Sequence, residues 1–386
     1  KYFSVKRNWF GEKFERGADT NPLKIVARTK TWFVVSVLLI SIGGAFVAIG
    51  GIKPNVEFTG GYEGVYALSE GQDLASIRSS LARNGFEKAN AKIGTTQGGG
   101  KVAYVSVPFS DNISSNEDEV KQQVATAAGL TVDEKSTLSR IGRIIQQETI
   151  TNAILGVVIS TGLIMLYIAL RFGVALGGMK NGIKFGVSAI IAMLHDGLFV
   201  VGAAGIFGYF LGWEISALFI TAMLTVIGFS VHDTVVIFDR IRENLRKQVK
   251  GETFDHLVDK SVTQTIARSI NTSMTAFVTL LILVFFGTTI PEIKFMCLTM
   301  AAGIAVGTYS SIFNASPILW LWNRATVKKH GEQADLMMEA QREARLRAKI
   351  EIVGDDRTGG AAATSQYGQV KRKQSAERGV HKVDED

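Results

Sequence analysis

The sequence predicts a polytopic α-helical membrane protein of six spans with one small α+β domain inserted between the first and second. Three observations predict it. Hydrophobic residues make up 47% of the chain and gather into six blocks rather than spreading evenly. Each block has about 20 residues, the length at which a helix rising about 1.5 Å per residue crosses a bilayer core of about 30 Å. Lys and Arg crowd alternate connections between the blocks, and between the first two blocks lies a long stretch with the mixed periodicity of a folded domain.

The first span is placed at 33–52, behind a basic arm, 1–32. It is too long for a signal-peptide core and has no convincing small-residue cleavage site, so it reads as an uncleaved anchor. Residues 53–147 form the inserted domain. Its pattern runs strand "YEGVYAL" from Tyr62, helix "DLASIRSSLARNG" from Asp73, strand 89–94, a Gly-rich turn and strand "KVAYVSV" from Lys101. A helix over 115–128, opened by the capping-type "SNEDE", and a strand over 131–138 complete it. The order βαββαβ is that of the ferredoxin-like split unit, an architecture that names no activity.

The remaining spans are placed at 150–170, 185–207, 215–238, 269–286 and 295–322. The connections 171–184 and 240–268 and the segment after Trp322 are basic, whereas 208–214 and 287–292 hold no Lys or Arg. Both termini are therefore expected in the cytoplasm and the inserted domain outside it. In the tail, 323–386, helix-forming composition over 332–353 suits a membrane surface or a partner, and the sequence after 354 has little to bury and is expected to be disordered.

Composition also narrows the function. The net charge of +7 reads as cytoplasmic flanks facing anionic lipid, with no nucleic-acid site. One cysteine, Cys297, cannot form an internal disulfide. No Ser-His-Asp spacing, HExxH or Cys-His cluster is present, and "TGG" at 59–61 lacks the Lys-Ser/Thr ending of a phosphate loop. An enzyme is not expected, nor a metal or cofactor.

Ionisable side chains at bilayer depth are the candidates for chemistry, because each costs about 2.5–3.5 kcal/mol on insertion scales unless paired or hydrated. His195 and Asp196 lie in the third span, and His232 and Asp233 in the fourth. In the fifth, Arg268, Asn271, Thr272, Thr275 and Thr279 recur at i, i+3, i+4, i+7 and i+11, one face of a helix. A carboxylate beside such a polar stripe suits a proton or cation path, although a structural hydrogen-bonding role explains a lone membrane Asp as well. His232 either relays a proton or orients Asp233. Asp239, Arg240 and Glu214 read as interfacial. Gly303 and Gly307, with the small residues of 43–51 and 202–208, read as close helix packing.

"VEFTGGYEG" after the first span, "LTVIGFSVHDTVVIFDRIRENL" in the fourth and "RSINTSMTA" opening the fifth resemble, in order and spacing, the SecF family of protein-export membrane proteins within the RND superfamily. The resemblance covers about residues 20–325. It implies an RND-type half in the bacterial plasma membrane that works with SecD, the SecYEG channel and YajC on a transient preprotein substrate. It also implies use of the proton gradient, or of sodium, as the coupling ion. The family's transport carboxylate falls on Asp233, and its basic partner and hydroxyl on Arg268 and Thr272, so that ionised Asp233 is expected to attract Arg268 directly or through a SecD residue. His195, Asp196, His232, Asn271 and Thr275 are candidates for an auxiliary relay. The sequence departs from the pattern in two places: Glu57 and Tyr62 loosen the loop motif, and His232 stands where Asn often precedes the transport Asp. Half of a small-molecule or lipid exporter, and a translocon subunit that moves no ion, remain open alternatives.

Overall fold

The computed structural model describes residues 18, 21–68, 71–95, 100–109, 116–175, 179–249, 251–287 and 290–330. The expected disordered tail lies outside them, as does most of the N-terminal arm. Among the described residues, six helices are long and apolar enough to cross a membrane, and the chain is a multi-pass membrane protein with one small antiparallel sheet. Helix α1, Thr29–Phe46, is preceded by a tight turn at Val26–Arg28 and followed by a wide one at Val47–Gly51. The sheet domain comprises α2 (Val56–Thr59), β1 (Gly61–Ala67), α3 (Leu74–Arg83), β2 (Asn90–Thr95), β3 (Lys101–Pro108), α4 (Glu117–Ala128) and β4 (Thr137–Ile141). The long helices α5 (Arg143–Ala175), α6 (Met179–Leu211), α7 (Ala217–Lys247) and α8 (Phe254–Ile282) follow, then α9 (Pro291–Ser310) and α10 (Ser316–His330), joined by a wide turn at Ser311–Ala315.

The structure moves several boundaries read from hydropathy. The last strand begins at Thr137, later than the expected 131–138, and the connections 171–184 and 240–268 are mostly helix. Apolar runs mark only the stretch that meets hydrocarbon, and helices continue past it wherever polar side chains pair along their own surface. Arg240 and Lys247 each hold Glu243 in this way at the far end of α7. Thr253 then caps α8 by accepting from the His256 amide.

The strands pair antiparallel in the order β2-β3-β1-β4. Alternation sends Tyr62, Tyr66, Val105 and Val107 to one face, where they bury Ile77 and Leu81 of α3 and Val120 and Val124 of α4. Cross-strand register puts Asn90, Ser106 and Glu63 in one row of the opposite face and Lys92, Tyr104 and Val65 in the next. Two helices therefore cover the apolar face, and the polar face meets the ends of the membrane helices. Glu214, expected at an interface with lipid, is buried there, because Lys92 of that face reaches it.

Within the bundle α9 is the most enclosed span, whereas α1, α5 and α8 present most of their surface outward. Helices α1 and α6 meet backbone to backbone: a Cβ on Gly43 would stand 2.6 Å from the Gly202 Cα, so only glycine allows this approach. Toward the other end Phe172 and Phe185 stack at 4.9 Å, with Phe238 edge-on to both.

Candidate functional site: a buried carboxylate pair

Asp196 of α6 and Asp233 of α7 both lie inside the bundle, 0% and 2% exposed. Asp196 accepts hydrogen bonds from Ser230 (2.5 Å) and Ser310 (2.7 Å) through Oδ2, and its Oδ1 is 2.9 Å from His195 Nδ1. The other His195 nitrogen, Nε2, is buried without a hydrogen-bond partner among the described residues. Asp233 Oδ2 accepts from Ser273 (3.3 Å) and Thr308 (3.4 Å), and those two hydroxyls are bonded to each other.

Two helices tie the carboxylates together. On α7, Ser230 touches Asp196 and stands three residues, about 4.5 Å of rise, before Asp233. On α9, Thr308 serves Asp233 and Ser310 serves Asp196. Ser311 extends the chain by bonding Thr234 at 2.8 Å and the Ser230 carbonyl at 3.1 Å. The wide turn that starts there interrupts regular helix geometry beside the cluster, a common feature of functional helices. Gly307 makes the approach possible, since a Cβ there would meet Ser230 at 3.0 Å.

The stripe on α8 lies elsewhere. Arg268, Asn271, Thr272, Thr275 and Thr279 are all exposed on the outer surface of this chain, and Ser269 and Ser273 turn inward instead. The expected direct attraction between Asp233 and Arg268 is therefore not formed; hydroxyls take its place. A helix turns about 100° per residue, so the face beside the stripe is the one that packs on α7 and α9. Along the stripe, Thr272, Thr275 and Thr279 satisfy their hydroxyls on carbonyls of their own helix at 2.7–3.0 Å. His232 is also exposed, so the interior cluster takes its imidazole from His195.

Sequence reasoning missed Ser230, Ser273, Thr308 and Ser310. A signal existed in the last span, where Thr308, Ser310, Ser311 and Asn314 follow Gly303 and Gly307 within one apolar block. Serines elsewhere in apolar helices carry little information, because most only bond their own backbone.

The arrangement has known relatives. The profile described as "Protein export membrane protein SecD/SecF, C-terminal" matches residues 120–325, more than half of the chain. The chain is 36% identical over 304 residues to the protein translocase subunit SecF of Thermobaculum terrenum, covering 78% of this chain and 94% of that protein. The chain belongs to the SecF family. Another SecF relative, from Haemophilus influenzae, is 33% identical across 75% of this chain and 83% of its own length. The crystal structure of SecDF, a translocon-associated membrane protein from Thermus thermophilus, superposes with a TM-score of 0.62 at 28% identity, covering 80% of this chain and 41% of that one. This SecF-family chain thus spans about two fifths of the SecDF chain it matches. Asp196 and Asp233 both fall inside the stretch matched by the SecD/SecF profile.

Proposed function

We propose that the chain is a subunit of the Sec protein translocase that joins a SecD half and lets a proton or sodium gradient promote late steps of preprotein passage through the SecYEG channel, with YajC as an accessory partner. The carrying observation is the buried pair Asp196 and Asp233, both bonded to hydroxyls of α9. In this reading the chain sits in the bacterial plasma membrane with both termini cytoplasmic and the sheet domain outside. It catalyses no covalent step and needs no cofactor beyond the coupling ion.

Ionised Asp233 accepts from Ser273 and Thr308. Once it takes up a proton, one carboxyl oxygen becomes a donor and the bonded hydroxyl pair must turn to accept it. A sodium ion would find the same three side-chain oxygens. Thr308 and Ser310 stand on α9, so a change at either carboxylate reaches the same helix. A membrane potential supplies about 2.3 kcal/mol per charge per 100 mV, comparable with a modest conformational preference.

The outward stripe on α8 supports the partner. Arg268 left against lipid would cost about 2.5–3.5 kcal/mol, which a facing polar helix removes. A SecD half supplies such a helix. That the chain covers only 38% of the Thermus thermophilus SecDF protein supports the same pairing.

The test is gradient-dependent release of a preprotein from vesicles holding this chain, SecD and SecYEG. Asp233→Asn, checked to fold and to bind SecD, is expected to abolish the gradient-dependent part under the ion that couples. An undiminished gradient effect under both H⁺ and Na⁺ gradients would move the ion path to SecD or to the His195 and Asp196 pair, and would favour a structural role for Asp233.

A further inference from the structure

The sheet domain rests on the bundle through polar contacts. Lys92 of β2, its side chain 3% exposed, lies 2.8 Å from Glu214 Oε2 and 2.6 Å from Glu292 Oε1. Ser106 of β3 donates to the same Glu214 oxygen at 2.9 Å. Beside them, Asn90 and Arg78 both donate to the Gly212 carbonyl, at 2.8 and 3.3 Å, and Arg78 also donates to the Ala91 carbonyl at 2.7 Å. Gly212 has φ +66°, and a Cβ there would strike the Arg78 guanidinium, so the turn between α6 and α7 is shaped for this grip. Two further contacts join the segment after α1 to the start of α7: Ile215 exchanges backbone bonds with Lys53 and Asn55, and Glu57 accepts from the Ala217 amide at 2.6 Å.

Two features set this seat apart from an ordinary core. A permanent seat between a domain and a bundle would be expected to bury apolar surface, whereas polar interfaces within a chain suit relative motion. Its anionic groups Glu214 and Glu292 also stand at the ends of the helices that hold the carboxylate pair and its hydroxyl donors. Glu214 lies in the turn between α6, with Asp196, and α7, with Asp233; Glu292 is in the first turn of α9, which carries Thr308 and Ser310.

We propose that Lys92, held between Glu214 and Glu292, is the positioning residue of a reversible seat, through which rearrangement of α6, α7 and α9 around Asp196 and Asp233 is passed to the sheet domain. The transmission rests on the ion-transfer reading of those carboxylates. The seat itself rests on the geometry alone.

Glu63, in the row beside Lys92, gives the seat a pH dependence. Burial pushes its carboxyl up from 4.5 to about 7, with Glu292, Glu214 and Glu57 adding to the rise and Lys92 opposing it. The charged and titratable groups around this face are Lys92 on β2, Tyr104 on β3, Arg78 on α3, Glu57 on α2, Lys53 before it, and Glu214 and Glu292 on the bundle. Released into water, Glu63 returns to its ordinary value, so the seated state binds more protons. Seating is therefore strongest below the released value and weakens as pH rises through about 7. Between pH 6 and pH 8 the ratio of seated to released domain should fall about tenfold.

The experiment places spin labels at Gln122 on α4 and Leu211 at the end of α6, both exposed, with the buried Cys297 replaced by Ala. The whole chain is studied with SecD in lipid nanodiscs by pulsed electron paramagnetic resonance. Expected are one short distance at about pH 6, a longer population that grows about tenfold relative to it by about pH 8, and loss of that growth in Glu63→Gln. Lys92→Met, which leaves Glu214 and Glu292 facing each other, should hold the long population at both pH values and lose gradient-driven preprotein release. A parent-like distance distribution in Lys92→Met overturns the proposal. Should that variant not assemble, Glu63→Gln decides, and a pH step that persists in it overturns the proposal equally. If the distances behave as expected while Asp233→Asn keeps its gradient response, the ion-transfer reading falls and the seat stands.

Discussion

Asp196 has three polar neighbours and no exposed surface, so its substitution reads out how much the interior depends on it. Asp196→Ala leaves the Ser230 hydroxyl and His195 Nδ1 without their carboxylate, at about 1–3 kcal/mol for each buried group left unpaired, whereas Ser310 keeps the Gly307 carbonyl at 3.1 Å. A clear fall in the thermal midpoint of the detergent-solubilised chain is expected. Asp196→Asn retains an acceptor oxygen and should lose markedly less. Equal losses would mean that the carboxylate fills space and its hydrogen bonds contribute little. At this scale the sequence was informative about acids and poor about their partners. A carboxylate in an apolar run is conspicuous because hydrocarbon penalises it. Ser230 and Ser273 are inconspicuous because a hydroxyl can satisfy itself on its own helix.

At the scale of the element, α8 carries two polar faces with different surroundings. Ser269 and Ser273 face the bundle, and Arg268, Asn271, Thr272 and Thr275 face away from it. Arg268→Ala should reduce the amount of SecD that co-purifies with the chain and leave the stability of the isolated chain within about 0.5 kcal/mol, as for other surface positions. Ser273→Ala should do the reverse: SecD stays bound, and gradient-driven release drops. Co-purification that is lost in Ser273→Ala and kept in Arg268→Ala would invert the two faces. Periodicity identified the outer stripe, because five polar residues at helical spacing are improbable in lipid. It could not assign that stripe to a neighbour, since both faces of one helix obey the same period. Gly43 of α1 and Gly202 of α6 were legible for the opposite reason: clustered small residues in apolar helices mark close approach, and these two meet. Gly43→Leu should destabilise by about 1–3 kcal/mol through overpacking, measured as a lower unfolding midpoint.

Across the whole molecule, the helices that surround the carboxylate pair end at the seat of the sheet domain, so the two regions are joined by α6, α7 and α9 without an intervening linker. Burial alone would push the Lys92 ammonium down, but Glu214 and Glu292 outweigh it and hold it above the ordinary lysine value. The charge is thus retained where the domain meets the bundle. Replacing a buried ion cluster by neutral groups of similar volume is often neutral or stabilising. The triple variant Lys92→Met, Glu214→Gln, Glu292→Gln is therefore expected to seat at least as firmly as the parent, with amide exchange across β2 no faster, while losing gradient-driven release. Faster exchange across β2 would show that the charges hold the domain rather than tune its release.

The sequence by itself determined the membrane class, the six spans, the βαββαβ order of the inserted domain and the carboxylates at bilayer depth. Each follows from a local rule: hydrocarbon thickness, strand and helix periods, and the cost of charge in lipid. The tertiary structure alone decided which face of α8 meets Asp233, that His195 rather than His232 joins the interior, and that Glu214 is buried. Lys92 and Glu292, 200 residues apart, meet only once the sheet is seated on α9. Such pairings are set by how folded elements pack, and a periodic pattern within one element carries no information about its distant neighbour.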